Sequence, residues 1–224
     1  MVPTMNEDAY GFDGLPIDPV RRGTSILVAG PSHAGTRELA YRMLAGDADE
    51  GVIILTTNTT AADVAAECET VGIEVSSDRM GIVDCLDADS SGVPARVLTV
   101  SSAQDLTGIG MRYSKLYSDF HSEGVDSIRT GLFSISTVLS LTELRTVSRF
   151  VHTLVGRVSK VGGLGVFLVD PAMHDERELR TISQFCDGRV DVRESHDGPE
   201  LRSRGFLGGS SSWLSFEPLA AADR

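Results

Sequence analysis

The sequence predicts a three-layer α/β sandwich: a central, mostly parallel sheet with antiparallel strands added near the C-terminus. Three observations carry this. Short apolar runs alternate with segments of helical periodicity, the pattern of parallel strands covered on both faces. The first unit, residues 25–44, passes from an apolar run through a glycine loop into a helix. After Gly188 the pattern changes to short alternating segments joined by Gly and Asp turns, as in antiparallel pairs.

The elements follow in order. Residues 1 to about 10 are polar and are expected to be loose, with one domain over 11–217 and a frayed tail over 218–224. Gly11 to Gly23 is a Pro- and Gly-punctuated lead-in. The first strand is Ser25–Ala29, and a helix runs from Thr36 to Leu44 with Leu39, Ala40, Met43 and Leu44 on one side. Val52–Thr57 is the second strand. Thr60 and Asp63 cap a helix bearing Val64, Cys68 and Val71, which Gly72 stops. Gly81–Leu86 and Val97–Val100 read as short strands. Leu106, Ile109, Tyr113, Leu116 and Phe120 step as one helix face. Gly131–Ile135 is a core strand. The longest helix is expected to be capped by Ser140 and Glu143 and to end at Gly162-Gly163. Val166–Val169 is a strand and Asp175–Cys186 a helix. Residues 189–193, 199–205 and 212–216 are the antiparallel additions.

The glycine loop is the candidate site. Gly30-Pro31-Ser32-His33-Ala34-Gly35-Thr36-Arg37 keeps the glycine spacing of G-x-x-x-x-G-K-[ST], a loop whose N–H groups cradle phosphate. Thr36 stands where the phosphate-binding lysine belongs, and Arg37 where the Mg²⁺-binding hydroxyl belongs. His33 reads as a loop residue.

Composition narrows the function classes. The formal net charge is −12, and of the 20 basic residues only Lys115 and Lys160 are lysines. Low Lys with abundant Asp and Glu suggests a salt-rich cytoplasm, with poor folding at low salt. An acidic chain without a basic run beyond Arg21-Arg22 argues against a nucleic-acid binder. Cys68, Cys85 and Cys186 show no C-x-x-C spacing and fit a reducing compartment. No signal peptide and no membrane-spanning run is expected.

Seven stretches resemble, in serial order, one family: residues 22–31, 51–57, 105–110, 129–139, 171–176, 187–194 and 201–205. They are similar to the KaiC-like branch of the RecA superfamily, over roughly residues 11–217. The resemblance implies a RecA-like P-loop sandwich with an ATPase core, oligomeric, nucleotide at the subunit interface, and a family-level expectation of signal transduction.

The departures fall at the catalytic positions. Besides Thr36 and Arg37, the acidic residues that the family carries after the second strand are replaced by Asn58-Thr59-Thr60. Aligned on Arg129, Phe133 stands at the Walker B aspartate. Each lost group matters by orders of magnitude in rate. The expectation is a catalytically impaired pseudo-ATPase acting as a regulatory or interaction module. No catalytic residue or metal ligand is assigned, and ATP is the one candidate cofactor, with Mg²⁺ open. The alternative is an ATPase in which Arg37 meets phosphate and Asp170 holds metal. The resemblance places the Asp170 strand between the P-loop and Walker B strands. Against this, Asp170 opens an Asp-Pro turn, and Arg37 reads as a solvated cation pairing with neighbours such as Glu38. In the family a Lys-x-Arg pair reaches the neighbouring subunit's γ-phosphate, and Arg202 and Arg204 keep that charge. The plainer reading is a strand with two exposed arginines. Expected partners are homo- or hetero-oligomeric RecA/KaiC-like subunits. Tyr113, Phe120 and Phe150 read as core residues, and Trp213 as a packing or edge-covering residue.

Overall fold

The structure is a computed structural model that describes residues 9–86, 88–205 and 212–219. Its nine-stranded sheet consists of β3 (Ser25–Ala29), β4 (Gly51–Thr56), β5 (Met80–Asp84), β6 (Arg96–Thr99), β7 (Ile128–Phe133), β8 (Leu164–Val169), β9 (Gly188–Ser195), β10 (Gly198–Arg204) and β11 (Leu214–Ser215). The order is β11-β10-β9-β3-β8-β7-β4-β5-β6. Pairings from β9 through β6 are parallel, and β10 and β11 add antiparallel. β8 lies between β3 and β7, where the resemblance implied.

The central strands β3, β4 and β8 are apolar along almost their whole length because each serves two cores. Ile26, Val28, Ile54 and Val166 face one core with the lead-in, α1 (Thr36–Leu44) and α2 (Ala61–Thr70). Leu27, Ala29, Ile53 and Phe167 face the other. That second core is covered by α3 (Leu106–Ser122), α4 (Ile135–Leu141), α5 (Leu144–Lys160) and α6 (Glu176–Ser183). This alternation is why period-2 polarity is missing from the sequence.

Several boundaries differ from the sequence reading. Ala9–Tyr10 (β1) is part of the fold, pairing antiparallel with Val20–Arg21 (β2). Tyr10 is buried, and its hydroxyl donates to the Gly162 carbonyl at 3.1 Å. Of the tail expected over 218–224, Leu219 donates its N–H to Glu38; the remaining expectations for the two termini fall on residues 1–8 and 220–224, outside the described residues. β7 begins three residues earlier than the apolar pattern suggested. It ends at Phe133, and α4 replaces the expected continuation through Ile135. Ser140 is not the cap of α5. It sits inside α4 and donates its hydroxyl to the Ser136 carbonyl, and Glu143 is the N-cap residue.

Thr60 does cap α2. Its Oγ1 accepts from the Asp63 N–H at 3.2 Å and donates to the Asp63 carboxylate at 2.7 Å. Thr60→Ala is therefore expected to cost about 1 kcal/mol, measured as a lower denaturant midpoint at unchanged slope.

Candidate functional site

The loop between β3 and α1 is built by local geometry. Ser32–Ala34 form a single 3-10 turn, and Gly35 follows at φ +71°, a conformation that strains a side-chain-bearing residue. A Cβ on Gly30 would lie 2.6 Å from Thr36 Oγ1 and 2.7 Å from the Val192 side chain, so the position requires glycine. Thr36 is buried and donates its hydroxyl to the Pro31 carbonyl at 2.7 Å, tying the loop's two ends together. Ser32 and His33 are exposed. Gly35 gives α1 no side-chain cap, so backbone N–H groups of the first turn are the loop's main donors. The C-terminal segment lies alongside. Phe216 ring carbons come within 3.7 Å of the Cβ position of Gly35, and the Leu219 N–H donates to Glu38 Oε1 at 2.7 Å.

Arg37 turns away from the loop. Its Nε donates to Glu67 at 2.7 Å, and its Nη2 donates to Thr59 Oγ1 at 2.7 Å and to the Tyr41 hydroxyl at 3.3 Å. The guanidinium carbon also stands 5.6 Å from the Tyr41 ring centroid and 5.7 Å from that of Phe133, within cation–π range. Phe133 is fully buried and stacked on Tyr41 at 4.6 Å, and the Phe133–Ser134 peptide is cis. Burial lowers the affinity of Arg37 for its proton, but Tyr41 and Glu67 outweigh this and hold its pKa above the ordinary value. Burial drives the Tyr41 phenol well up, only partly countered by Arg37. Glu38, the partner expected for Arg37, instead lies 3.8 Å from Arg42. The oxygens of Glu67, Thr59 and Tyr41 are thus engaged by the Arg37 guanidinium, so the cluster already holds a fixed cation beside the Phe133 ring.

Asp170 lies at the C-terminal end of β8, where the Gly30 N–H donates to the Val169 carbonyl. Its carboxylate is engaged locally, accepting from the Ala172 N–H at 2.9 Å to cap the 3-10 turn Pro171–Met173.

Arg202 and Arg204 converge on one largely buried carboxylate, Asp191, facing them from β9. Arg204 donates to it through Nε at 2.7 Å and also through Nη2, and Arg202 lies at 3.4 Å. Arg189 binds the same carboxylate at 2.7 Å. Arg202 and Arg193 stack on Trp213, at 4.4 and 4.1 Å from its ring centroid. Trp213 is thus a platform for two arginines.

Sequence reasoning missed Glu67, Thr59 and Asp191 as partners. Only the Arg37–Tyr41 spacing of four on α1 was a readable signal. Among the described residues no group of three or more His, Cys, Asp or Glu could hold a metal ion. No described helix is long and apolar enough to cross a membrane.

The sheet order, the glycine loop and the antiparallel C-terminal strands define a RecA/KaiC-like fold. Among solved structures, the KaiC-like protein PH0186 from Pyrococcus horikoshii is similar at TM-score 0.59 and 15% identity, over 82% of this chain and 79% of that one. The uncharacterized protein PH0321 from the same organism, crystallised with an unknown peptide, is similar at TM-score 0.63 and 15% identity, over 83% and 84%. Residues 23–192 match the family of unknown function DUF7504, and the chain belongs to that family. No curated protein matches it.

Proposed function

We propose that this chain is a non-hydrolysing member of the RecA/KaiC-like fold, a regulatory or interaction module that works with other RecA/KaiC-like subunits. One observation carries the reading. Arg37, at the position of the metal-binding hydroxyl, is bonded to Glu67, Thr59 and Tyr41 and stacked near Phe133, at the position of the Walker B aspartate. A guanidinium and an aromatic ring replace a metal ion and its carboxylate, so the charge is balanced without Mg²⁺. The rival reading, an ATPase using Arg37 and Asp170, is disfavoured because both side chains already have local partners. A role for Arg204 across a subunit interface is supported by its side chain being about half exposed while anchored on Asp191.

Calorimetric titration with ATP in molar KCl tests the proposal. Any ATP affinity is expected to be unchanged by Mg²⁺, with no phosphate release. Mg²⁺-dependent binding and turnover lost in Asp170→Asn would establish the rival ATPase. Mixing the chain with an active RecA/KaiC-like ATPase should change that enzyme's rate, and Arg204→Ala should remove the change.

A further inference from the structure

A groove of about 740 Å³ runs between α5 and α6, across the sheet from the glycine loop. Its lining includes Arg145, Ser148, Arg149 and His152 from one face of α5, and Arg177 and Phe185 from α6 and its end. His152 and Phe185 form its aromatic part, with ring centroids 5.3 Å apart.

Charge bookkeeping separates this groove from the rest of the surface. Among the described residues nine arginines lie within ion-pair distance of a carboxylate. The side chains of Arg145, Arg149 and Arg177 have neither an ion pair nor a hydrogen bond, a state that among the described arginines only Arg21 on β2 shares, and all three are exposed at this one groove. In a chain of net charge −12, three unpaired guanidinium groups in one groove are anchors for individual negative charges. Ser148 adds an independent sign. It is buried to 8% exposure on the same face, and its Oγ has no hydrogen-bond partner.

The partner's chemistry follows from what else lines the groove. Glu143, Asp175 and Glu178 line it too, three carboxylates beside the three guanidinium groups. Asp175 and Glu178 are held in the capping box of α6, so they stay in place. A continuous phosphate backbone would meet these carboxylates, whereas a peptide can place its own acids against the arginines alone. The groove is a wide trough rather than an enclosed cavity, and the half-buried Leu144 and Phe185 supply its apolar lining. We propose that the α5–α6 groove docks an acidic, amphipathic helical segment of another protein, with its carboxylates on Arg145, Arg149 and Arg177 and its apolar side on Leu144 and Phe185.

The test uses a fluorescein-labelled helix-forming peptide of about 15 residues with Glu and Leu on one face, its Gln counterpart, and a labelled oligothymidylate. Anisotropy titration of the full chain should show salt-sensitive binding of the Glu peptide and little of the other two. Arg145→Glu, Arg149→Glu and Arg177→Glu together should weaken it by roughly tenfold or more. The three are exposed, so the thermal midpoint should hold, and single Arg→Ala variants provide a milder check. No binding of the Glu peptide, equal binding of the Gln peptide, or an unchanged affinity in the triple variant overturns the inference. Tighter oligothymidylate binding, or a concentration-dependent self-association lost in the same variant, would assign the groove to nucleic acid or to a second copy instead.

Discussion

Arg129→Met is expected to lower stability by about 3–5 kcal/mol, the cost of leaving one member of a buried ion pair alone. Arg129 is 3% exposed in the middle of the sheet. Its Nε donates to Glu50 at 2.5 Å, and its Nη1 donates to the carbonyls of Gly11 at 3.1 Å and Met43 at 3.0 Å. One guanidinium therefore joins the lead-in, the end of α1, the turn before β4, and β7. It also lies over the Tyr10 ring at 5.1 Å. Methionine keeps much of the volume, so the loss comes from Glu50 and the two carbonyls, not from a cavity. The thermal midpoint should fall by roughly 10 °C for a domain of this size. Adding Glu50→Leu should recover part of the loss, because it removes the stranded carboxylate. A single-variant cost within about 1 kcal/mol would mean that the pair behaves like a surface salt bridge.

Arg129 also shows where the sequence could be read and where it could not. β3 and α1 were legible to the residue, because an apolar run, a glycine loop and a periodic helix are all local signals. The start of β7 was not legible, because a charged residue inside a strand looks like a loop until Glu50 is brought to it across 79 residues. α4 was missed for the converse reason. Ile135 continues an apolar run, and only the Ser134 side chain, accepting from the Thr137 N–H, turns the chain into a helix. The substitutions at residues 36, 37 and 133 were visible, but the contact between Arg37 and Phe133 was not. That Arg37 would take Glu67 rather than Glu38 depends on how α1 packs on α2, which no local pattern encodes. The same holds for Arg202 and Arg204, whose charge was visible but whose common anchor, Asp191, is set by strand register.

That contact between residues 37 and 133 supports the second large prediction. Phe133→Ala removes a fully buried ring stacked on Tyr41 and should cost about 3–5 kcal/mol. Arg37→Thr should cost less, about 1–2 kcal/mol, because Glu67 is 41% exposed and regains water. If the guanidinium and the ring act as one unit, the double variant should show a coupling of about 0.5–2 kcal/mol. Additive losses would remove the basis for treating the pair as a substitute for a metal and its carboxylate. The complementary experiment restores oxygen ligands and a lysine together. Thr36→Lys, Arg37→Thr and Phe133→Asp in one chain should make ATP affinity depend on Mg²⁺, by roughly tenfold or more, where the parent is expected to show no such dependence. Phe133→Asp alone should not, because Arg37 would remain to pair with the new carboxylate and compete with the ion. The order of these outcomes isolates the physical question: whether a fixed organic cation has displaced a mobile inorganic one at the foot of β7.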